Sequence, residues 1–271
     1  MTLGPLVDAA WLRAHLEDPD LRLIDFRWYL VERDGREEYL RAHIPGAVFV
    51  DLEAVTGSAG GGRHPLPAAG QFEAEMRRAG VSDGTKVIVY DDAGGSIAAR
   101  LWFLLGWFGH GAQAVLDGGL QAWGEPVDRS VPEVSPGTFR SRVPDASRIL
   151  DFEAVRSLHG VPLIDGRAAE RYTGEKEPVD PKAGHIPGAL SRPWKANLRP
   201  DGRFLPAADL RRQLTAMGAE SGAVLYCGSG VNACHNLLAM ELAGLPDGRL
   251  YAGSWSDWAS HDAPVATGSA P

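Results

Sequence analysis

The chain of 271 residues carries the same succession of short motifs twice, and this internal repeat restricts the possible folds more than any other feature. The motif Leu-Ile-Asp-x-Arg occurs at residues 23–27 and again at 163–167, and His-Ile-Pro-Gly-Ala occurs at 43–47 and again at 185–189. The matches extend over nearly the whole chain, so chance is a poor explanation. Two copies of one domain are the economical interpretation.

Each copy alternates short apolar runs with helical patterns. We predict strands at 23–25, 86–90, 114–116, 163–165, 223–226 and 249–251, and helices at 69–79, 96–108, 206–217 and 231–243. Short apolar strands joined by helices indicate an α/β fold in which a mostly parallel sheet is covered by helices. We expect one such domain at 1–127 and a second at 148–271, with residues 128–147 as a linker rich in Pro and Ser.

The stretch 224–233, Val-Leu-Tyr-Cys-Gly-Ser-Gly-Val-Asn-Ala, combines a strand end, a cysteine, an uncharged glycine-rich loop and the start of a helix. In parallel sheets, sites form at the carboxyl ends of strands. Loop N–H groups and a helix N-terminus both favour an anion, and the thiolate is the nucleophilic form of cysteine. Cys227 is therefore the candidate nucleophile, although a cysteine can also be only a small buried hydrophobe.

Composition excludes several classes of protein. A net charge of −8 argues against a nucleic-acid partner, and the longest apolar stretches are far too short to span a membrane. We expect Cys227 and Cys234 to be separated by two helical turns, about 10.5 Å, which is beyond the reach of a disulfide. We expect two reduced thiols in a cytoplasmic protein that lacks a signal peptide. The two cysteines have no nearby histidine pair, so no metal site is predicted.

With its doubled Asp-x-Arg and His-Ile-Pro-Gly-Ala motifs and its Cys-Gly-Ser-Gly-Val-x-Ala loop, the chain resembles the tandem-domain rhodanese-family sulfurtransferases. The resemblance implies two rhodanese-like domains, of which only the second is catalytic. Consistently, residues 91–96, Asp-Asp-Ala-Gly-Gly-Ser, contain no thiol. The loop at Cys227 is similar to that of 3-mercaptopyruvate sulfurtransferases, whereas thiosulfate-specific members usually carry basic residues there.

The same resemblance implies a reaction and a set of residues. A small anionic donor, with 3-mercaptopyruvate favoured, would pass a sulfur to Cys227, and the resulting persulfide would pass it to cyanide or to a thiol such as thioredoxin or glutathione, without a cofactor. Ser229, His64 and Glu53 would form a relay that protonates the leaving group. The donor would be bound by Arg171, through its carboxylate, and by Gly228, Gly230, Val231, Asn232 and Ala233.

One position departs from this pattern. A second arginine of the mercaptopyruvate type should lie shortly before His185, but residues 177–182, Glu-Pro-Val-Asp-Pro-Lys, contain none, and Lys182 is the alternative. Other duplicated residues, Arg27 with Arg167 and His43 with His185, are interpreted as structural because they also occur in the copy that has no cysteine.

Other functions remain open at this stage. The nearest alternative is a thiosulfate:cyanide sulfurtransferase, and an alternative of another class is a non-enzymatic sulfur-carrying or interaction module. A cysteine phosphatase or arsenate reductase would need an arginine six residues after the nucleophile, where this chain has Ala233. Cys234 is expected to pack in the core rather than to act as a second thiol.

Overall fold

A computed structural model describes residues 3–271. The chain divides into two compact units that are discontinuous in sequence. Unit 1 runs to Thr56 and includes Pro67–Pro144 and Pro200–Phe204. Unit 2 consists of Gly57–Leu66, Asp145–Arg199 and Leu205–Pro271. Most of the segment expected to be a linker therefore belongs to unit 1, and ten residues of the first repeat belong to unit 2.

The two units have the same succession of strands and helices. In unit 1 these are β1 (Leu6–Val7), α1 (Ala9–His15), β2 (Leu21–Asp25), α2 (Gly35–Arg41), β3 (Val48–Phe49), a 3-10 turn (Glu53–Val55), α3 (Ala69–Arg78), β4 (Lys86–Tyr90), α4 (Ala98–Trp107), β5 (Gln113–Leu116) and α5 (Gly119–Trp123).

In unit 2 they are β6 (Ile149–Leu150), α6 (Phe152–Arg156), β7 (Leu163–Asp165), α7 (Ala169–Thr173), β8 (Ala189–Ser191), α8 (Ala207–Thr215), β9 (Ala223–Tyr226), α9 (Ala233–Leu242), β10 (Gly248–Tyr251) and α10 (Ser254–Trp258), with 3-10 turns at Ala146–Arg148, Trp194–Asn197 and Ala219–Ser221.

Each unit contains one parallel sheet. Within residues 3–271 the strand order is β1-β5-β4-β2-β3 in unit 1 and β6-β10-β9-β7-β8 in unit 2, and every pair of neighbouring strands is parallel. The strands β4 and β9 are central and almost fully buried, as their uninterrupted apolar sequences predict. The predicted α/β fold with a helix-covered parallel sheet is confirmed.

The duplicated arginines and histidines hold the backbone in both units. Arg27 donates to the Asp25 carboxylate and, at 2.7 Å, to the carbonyl of Ala42. Arg167 donates in the same way to Asp165 and, at 2.6 Å, to the carbonyl of Gly184. All four of these side chains are buried, so each charge is neutralised where water cannot reach it.

His43 and His185 have equivalent positions. His43 stacks on Tyr39 with ring centroids 4.0 Å apart, and its Nδ1 donates to the Tyr39 carbonyl. His185 makes the same two contacts with Tyr172, at a centroid distance of 3.7 Å. The structure thus gives these histidines a structural role.

Among the helices of residues 3–271, none has both the length and the apolar character that a membrane-spanning helix needs.

Candidate active site

Cys227 lies directly after β9, at the carboxyl end of the central strand of unit 2, and is buried. Its N–H donates to Oγ of Ser254 at 3.1 Å, and its carbonyl accepts from the N–H of Trp255 at 3.0 Å. The carbonyl of Gly228 accepts from the N–H of Ser256 at 2.9 Å. The first turn of α10 therefore fixes the backbone at the cysteine and at the start of the loop.

The loop from Gly228 to Asn232 turns the chain from β9 into α9. Gly230 has a φ of +81°, and a Cβ there would lie 2.5 Å from the carbonyl oxygen of Ala252. Glycine is thus required at this position both by conformation and by space. The thiol of Cys234, in the first turn of α9, is fully buried and donates to the carbonyl of Gly230 at 3.3 Å. Cys234 is a core residue that supports the loop.

Two of the predicted relay residues meet in unit 2. Nδ1 of His64 lies 2.8 Å from Oγ of Ser229, and both side chains are buried. His64 reaches Ser229 because residues 57–66 belong to unit 2. Glu53, the predicted acid, is an exposed residue in the 3-10 turn of unit 1, and its part in a relay stays a prediction.

The segment 57–66 contacts α10 through glycines. A Cβ at Gly61 would lie 2.1 Å from the Asp257 carboxylate, and one at Gly62 would lie 2.3 Å from the carbonyl oxygen of Gly253. The N–H of the next residue, Arg63, donates to Oγ of Ser256 at 3.0 Å. Since Ser256 also bonds the active loop through its own N–H, one turn of helix positions both the loop and the segment.

Three arginines and three carboxylates form a continuous cluster beside the loop. Its members, in order of contact, are Asp165, Arg167, Glu177, Arg171, Asp180 and Arg63. The cluster contains as many positive as negative groups. Burial disfavours the charged form of Glu177, but the hydrogen bonds from Arg171 and from backbone N–H groups outweigh it and hold the pKa of Glu177 below its usual range.

Arg171, the predicted binder of the donor carboxylate, is thus already paired. Its Nη2 lies 2.7 Å from Glu177 and 2.9 Å from Asp180. Arg63 contacts the other oxygen of Asp180. A Cβ built on Gly228 would lie 3.0 Å from Nη2 of Arg63 and 3.3 Å from Nη1 of Arg171, so both guanidinium groups flank the residue next to Cys227.

Arg63 is the site residue that the sequence analysis missed. It adjoins His64 in the sequence, whereas the family pattern predicts the second arginine shortly before His185 in the second repeat. Lys182, the alternative, donates instead to the carbonyl of His261 at 2.6 Å. The signal that could have identified Arg63 was its place in the sequence immediately before a histidine already assigned to the site.

The corresponding loop of unit 1 surrounds a carboxyl group of its own. Asp91 occupies the position of Cys227, directly after β4, and is fully buried. One carboxylate oxygen accepts from the N–H groups of Ala93 and Gly95, and the other from those of Ile97 and Ala98, all at 2.8–2.9 Å. Burial raises the pKa of Asp91 above its ordinary value, and the four backbone hydrogen bonds oppose that effect. In unit 1 this loop therefore surrounds a carboxyl group with backbone donors.

Comparison with known proteins agrees with this geometry. The sequence profile described as "Rhodanese-like domain" matches residues 8–126 and 149–261. The chain is 43% identical to the probable 3-mercaptopyruvate sulfurtransferase of Pseudomonas aeruginosa, over 99% of this chain and 100% of that protein. It is 40% identical to the putative thiosulfate sulfurtransferase SseB of Mycobacterium tuberculosis, over 98% of each.

Among solved structures, the crystal structure of Escherichia coli SseA, described as a 3-mercaptopyruvate sulfotransferase with the rhodanese fold, superposes with a TM-score of 0.83. The identity is 32%, and the superposition covers 93% of this chain and 99% of that one. The chain belongs to the rhodanese family and contains two rhodanese-like domains. It is a sulfurtransferase, as its full-length relatives are.

Proposed function

We propose that this enzyme takes a sulfur atom from 3-mercaptopyruvate onto Cys227 and passes it to a thiol or to cyanide. The observation that carries the proposal is the placement of Cys227 at the end of β9, with the Ser229–His64 pair and the guanidinium groups of Arg63 and Arg171 at its loop. These groups match a donor with one thiol to attack, one carboxylate to hold and one leaving group to protonate.

In the first half-reaction the Cys227 thiolate attacks the donor sulfur. The new S–S bond forms as the donor C–S bond breaks, and the bonding pair leaves on the enolate of pyruvate. The products are a persulfide anion and pyruvate, so the donor's thiol proton ends on the enolate and no net proton is consumed. The hydrogen-bonded Ser229 and His64 side chains are suited to relay that proton, since both can donate and accept.

In the second half-reaction a thiolate or cyanide attacks the outer sulfur, and the S–S bond breaks to restore the Cys227 thiolate. Asp91, at the equivalent position of unit 1, offers a parallel for the persulfide. Its carboxylate oxygens and the outer sulfur of a persulfide on Cys227 are both three bonds from Cα. By sequence position, the N–H groups that bind Asp91 correspond to those of Ser229, Val231, Ala233 and Cys234. Of these, the N–H of Cys234 donates to the carbonyl of Val231 at 3.1 Å. The proposal also includes the compartment and the acceptors. Because both cysteines are free thiols, we propose that the reaction takes place in the cytoplasm, with thioredoxin or glutathione as the thiol acceptor.

The proposal is tested by sulfur loading. Donor alone should add the mass of one sulfur atom to the protein, and cyanide should remove it as thiocyanate. Cys227→Ser should abolish the addition, whereas Cys234→Ser, which changes the other cysteine, should retain it. A sulfur adduct that persists in the Cys227 variant would refute the assignment.

A second candidate is transfer from thiosulfate. Two guanidinium groups at Gly228 would suit a dianion, and a relative 40% identical to this chain is named a putative thiosulfate sulfurtransferase. Within the described residues, however, Glu177 and Asp180 already neutralise these cations, and the loop 228–233 is itself uncharged. We therefore expect the larger kcat/KM for 3-mercaptopyruvate when both donors are measured with one acceptor at one pH.

A further inference from the structure

We infer that Arg63 is a donor-binding residue and that Asp180 is an internal carboxylate which occupies the donor's place between Arg63 and Arg171. The inference rests on the proposed function, because it concerns the anionic donor of that reaction. It assigns the second cation of the site to a segment of the first repeat, and it assigns a role to an acidic residue that no sequence pattern singled out.

The geometry of Asp180 is that of a bound carboxylate. One of its oxygens contacts Nη1 of Arg63, and the other lies 2.9 Å from Nη2 of Arg171. A carboxylate that spans two guanidinium groups in this way is the arrangement expected for an α-keto acid held at its acid end. The same two guanidinium groups flank Gly228, so a carboxylate between them lies beside the reactive cysteine.

Exposure decides which members of the cluster an incoming anion can meet. The side chains of Asp165, Arg167, Glu177 and Asp180 are at most 3% exposed, whereas Arg171 is 18% and Arg63 is 30% exposed. In addition, the buried Nε of Arg63 has no hydrogen-bond acceptor among residues 3–271. Arg63 is therefore the most exposed arginine of the cluster, and the N–H group at its Nε is a hydrogen-bond donor that has no acceptor within the described residues.

Charge explains why Asp180 is present. Without Asp180 and without a donor, Arg171 would keep only Glu177 and Arg63 would lose the carboxylate that it contacts, so the two neighbouring cations would be less completely compensated and would repel each other. Asp180 compensates both. A donor carboxylate must then compete with it, so Asp180 lowers the affinity for every anionic donor while keeping the empty site stable.

The test compares two alkylating agents that react with Cys227 and differ only in charge near the reacting carbon. Iodoacetate carries a carboxylate and iodoacetamide carries a neutral amide. Intact mass follows the labelling, and the ratio of the two second-order rate constants reports the attraction of the site for a carboxylate. Cys227→Ser shows how much of the labelling is at that residue.

The variants are Arg63→Gln and Asp180→Asn. Arg156→Gln serves as the matched control because Arg156 forms an exposed ion pair with Glu153 in the same unit.

Arg63→Gln should lower the iodoacetate-to-iodoacetamide ratio about tenfold, the effect of one charge-assisted contact. It should also raise KM for 3-mercaptopyruvate more than it lowers kcat. Asp180→Asn should raise the ratio and lower that KM, a gain that misfolding cannot produce. Arg156→Gln should leave both quantities unchanged.

Unchanged ratios in Arg63→Gln and Asp180→Asn would overturn the inference, even if 3-mercaptopyruvate is a good donor. A lower ratio in Asp180→Asn would also overturn it, because Asp180 would then assist the anion rather than compete with it. If the ratios shift as expected but 3-mercaptopyruvate loads no sulfur, the carboxylate site stands and the proposed donor fails.

Discussion

At the scale of single residues, the site depends on side chains that are buried together rather than on one reactive group. His64 and Ser229 form a hydrogen bond, and both side chains are buried. This burial separates His64 from an ordinary loop histidine. Its function can therefore be tested in the half-reaction that needs a proton.

His64→Ala should slow sulfur loading from 3-mercaptopyruvate by roughly 100-fold, within the range of general acid–base contributions. It should affect the transfer from a preloaded persulfide to cyanide much less, since that step has no enolate to protonate. Rapid-quench measurement of each half-reaction gives the two rates. His159→Ala, at an exposed histidine of the same unit, is the control and should change neither. Equal losses in both half-reactions would argue against a proton relay.

The sequence makes Cys227 and Ser229 candidate site residues because a strand end, a cysteine and a glycine loop occur together in the chain. It could not predict the partners of Arg171. Glu177 and Asp180 lie six and nine residues away in a stretch with no regular period, and only the folded loop brings them to the guanidinium group. Arg63 was missed for a related reason, since it lies over 100 residues before Arg171 in the chain.

At the scale of elements, the central strands were predicted almost to the residue, whereas several edge strands and short helices were not predicted at all. β1, β3 and β6 have two residues each, which is too short for any hydrophobic period to appear. The helix predicted from residue 96 begins at Ala98, because Asp91 binds the N–H groups of Ile97 and Ala98 and holds the preceding residues in the loop.

Gly230, in the loop before α9, can be compared with Gly218, which lies between α8 and the 3-10 turn Ala219–Ser221. Gly230 has a φ of +81° and contacts the Ala252 carbonyl, whereas Gly218 has a φ of +79° and no neighbour within 4 Å of a built Cβ. Gly218→Ala should cost only the conformational penalty, about 1 kcal/mol of unfolding free energy. Gly230→Ala should cost more and should also reduce sulfur loading, because the loop must shift. Chemical denaturation gives the unfolding free energy of each variant, and a sulfur-loading assay gives its activity. Equal losses of unfolding free energy would contradict the predicted contact between a side chain at residue 230 and the Ala252 carbonyl.

The loop that carries Glu177 should make stability depend on pH. The pKa of Glu177 is lower in the folded protein than in the unfolded chain, so its stabilising effect is complete above the ordinary glutamate pKa of about 4.3 and is lost as pH falls toward the folded value. Glu177→Gln should therefore lower Tm at pH 7, and the difference from the unaltered protein should shrink below pH 4. Glu153→Gln, at an exposed ion pair, should show little difference at either pH.

At the scale of the whole molecule, the repeat in the sequence and the compact units of the structure do not coincide. The repeat predicts domains at 1–127 and 148–271, but unit 2 also includes Gly57–Leu66, the segment that contains His64 and Arg63. No local pattern in a glycine-rich stretch tells which unit it packs against. The repeat thus predicted the fold of both units correctly. The family resemblance pointed to His64, but neither the repeat nor the resemblance pointed to Arg63.

A fragment of residues 148–271 should accordingly load sulfur far more slowly than the full chain, because it lacks the partner of Ser229 and the segment that packs on α10. Its rate can be compared with that of the same fragment fused to residues 57–66 through a flexible linker. The fusion should restore part of the activity. A bare fragment that folds and matches the full-length rate would show that the segment is dispensable.

The assignment of residues 57–66 to unit 2 also bears on how such a chain can evolve. After a duplication, two self-sufficient copies can be separated again, or either can be recombined with an unrelated partner. Here the second copy depends on ten residues encoded within the first, and the glycines that seat them admit no side chain at Gly61 or Gly62. Loss of the first copy would therefore also remove His64 and Arg63 from the second, so the two copies cannot be separated without dismantling the candidate site.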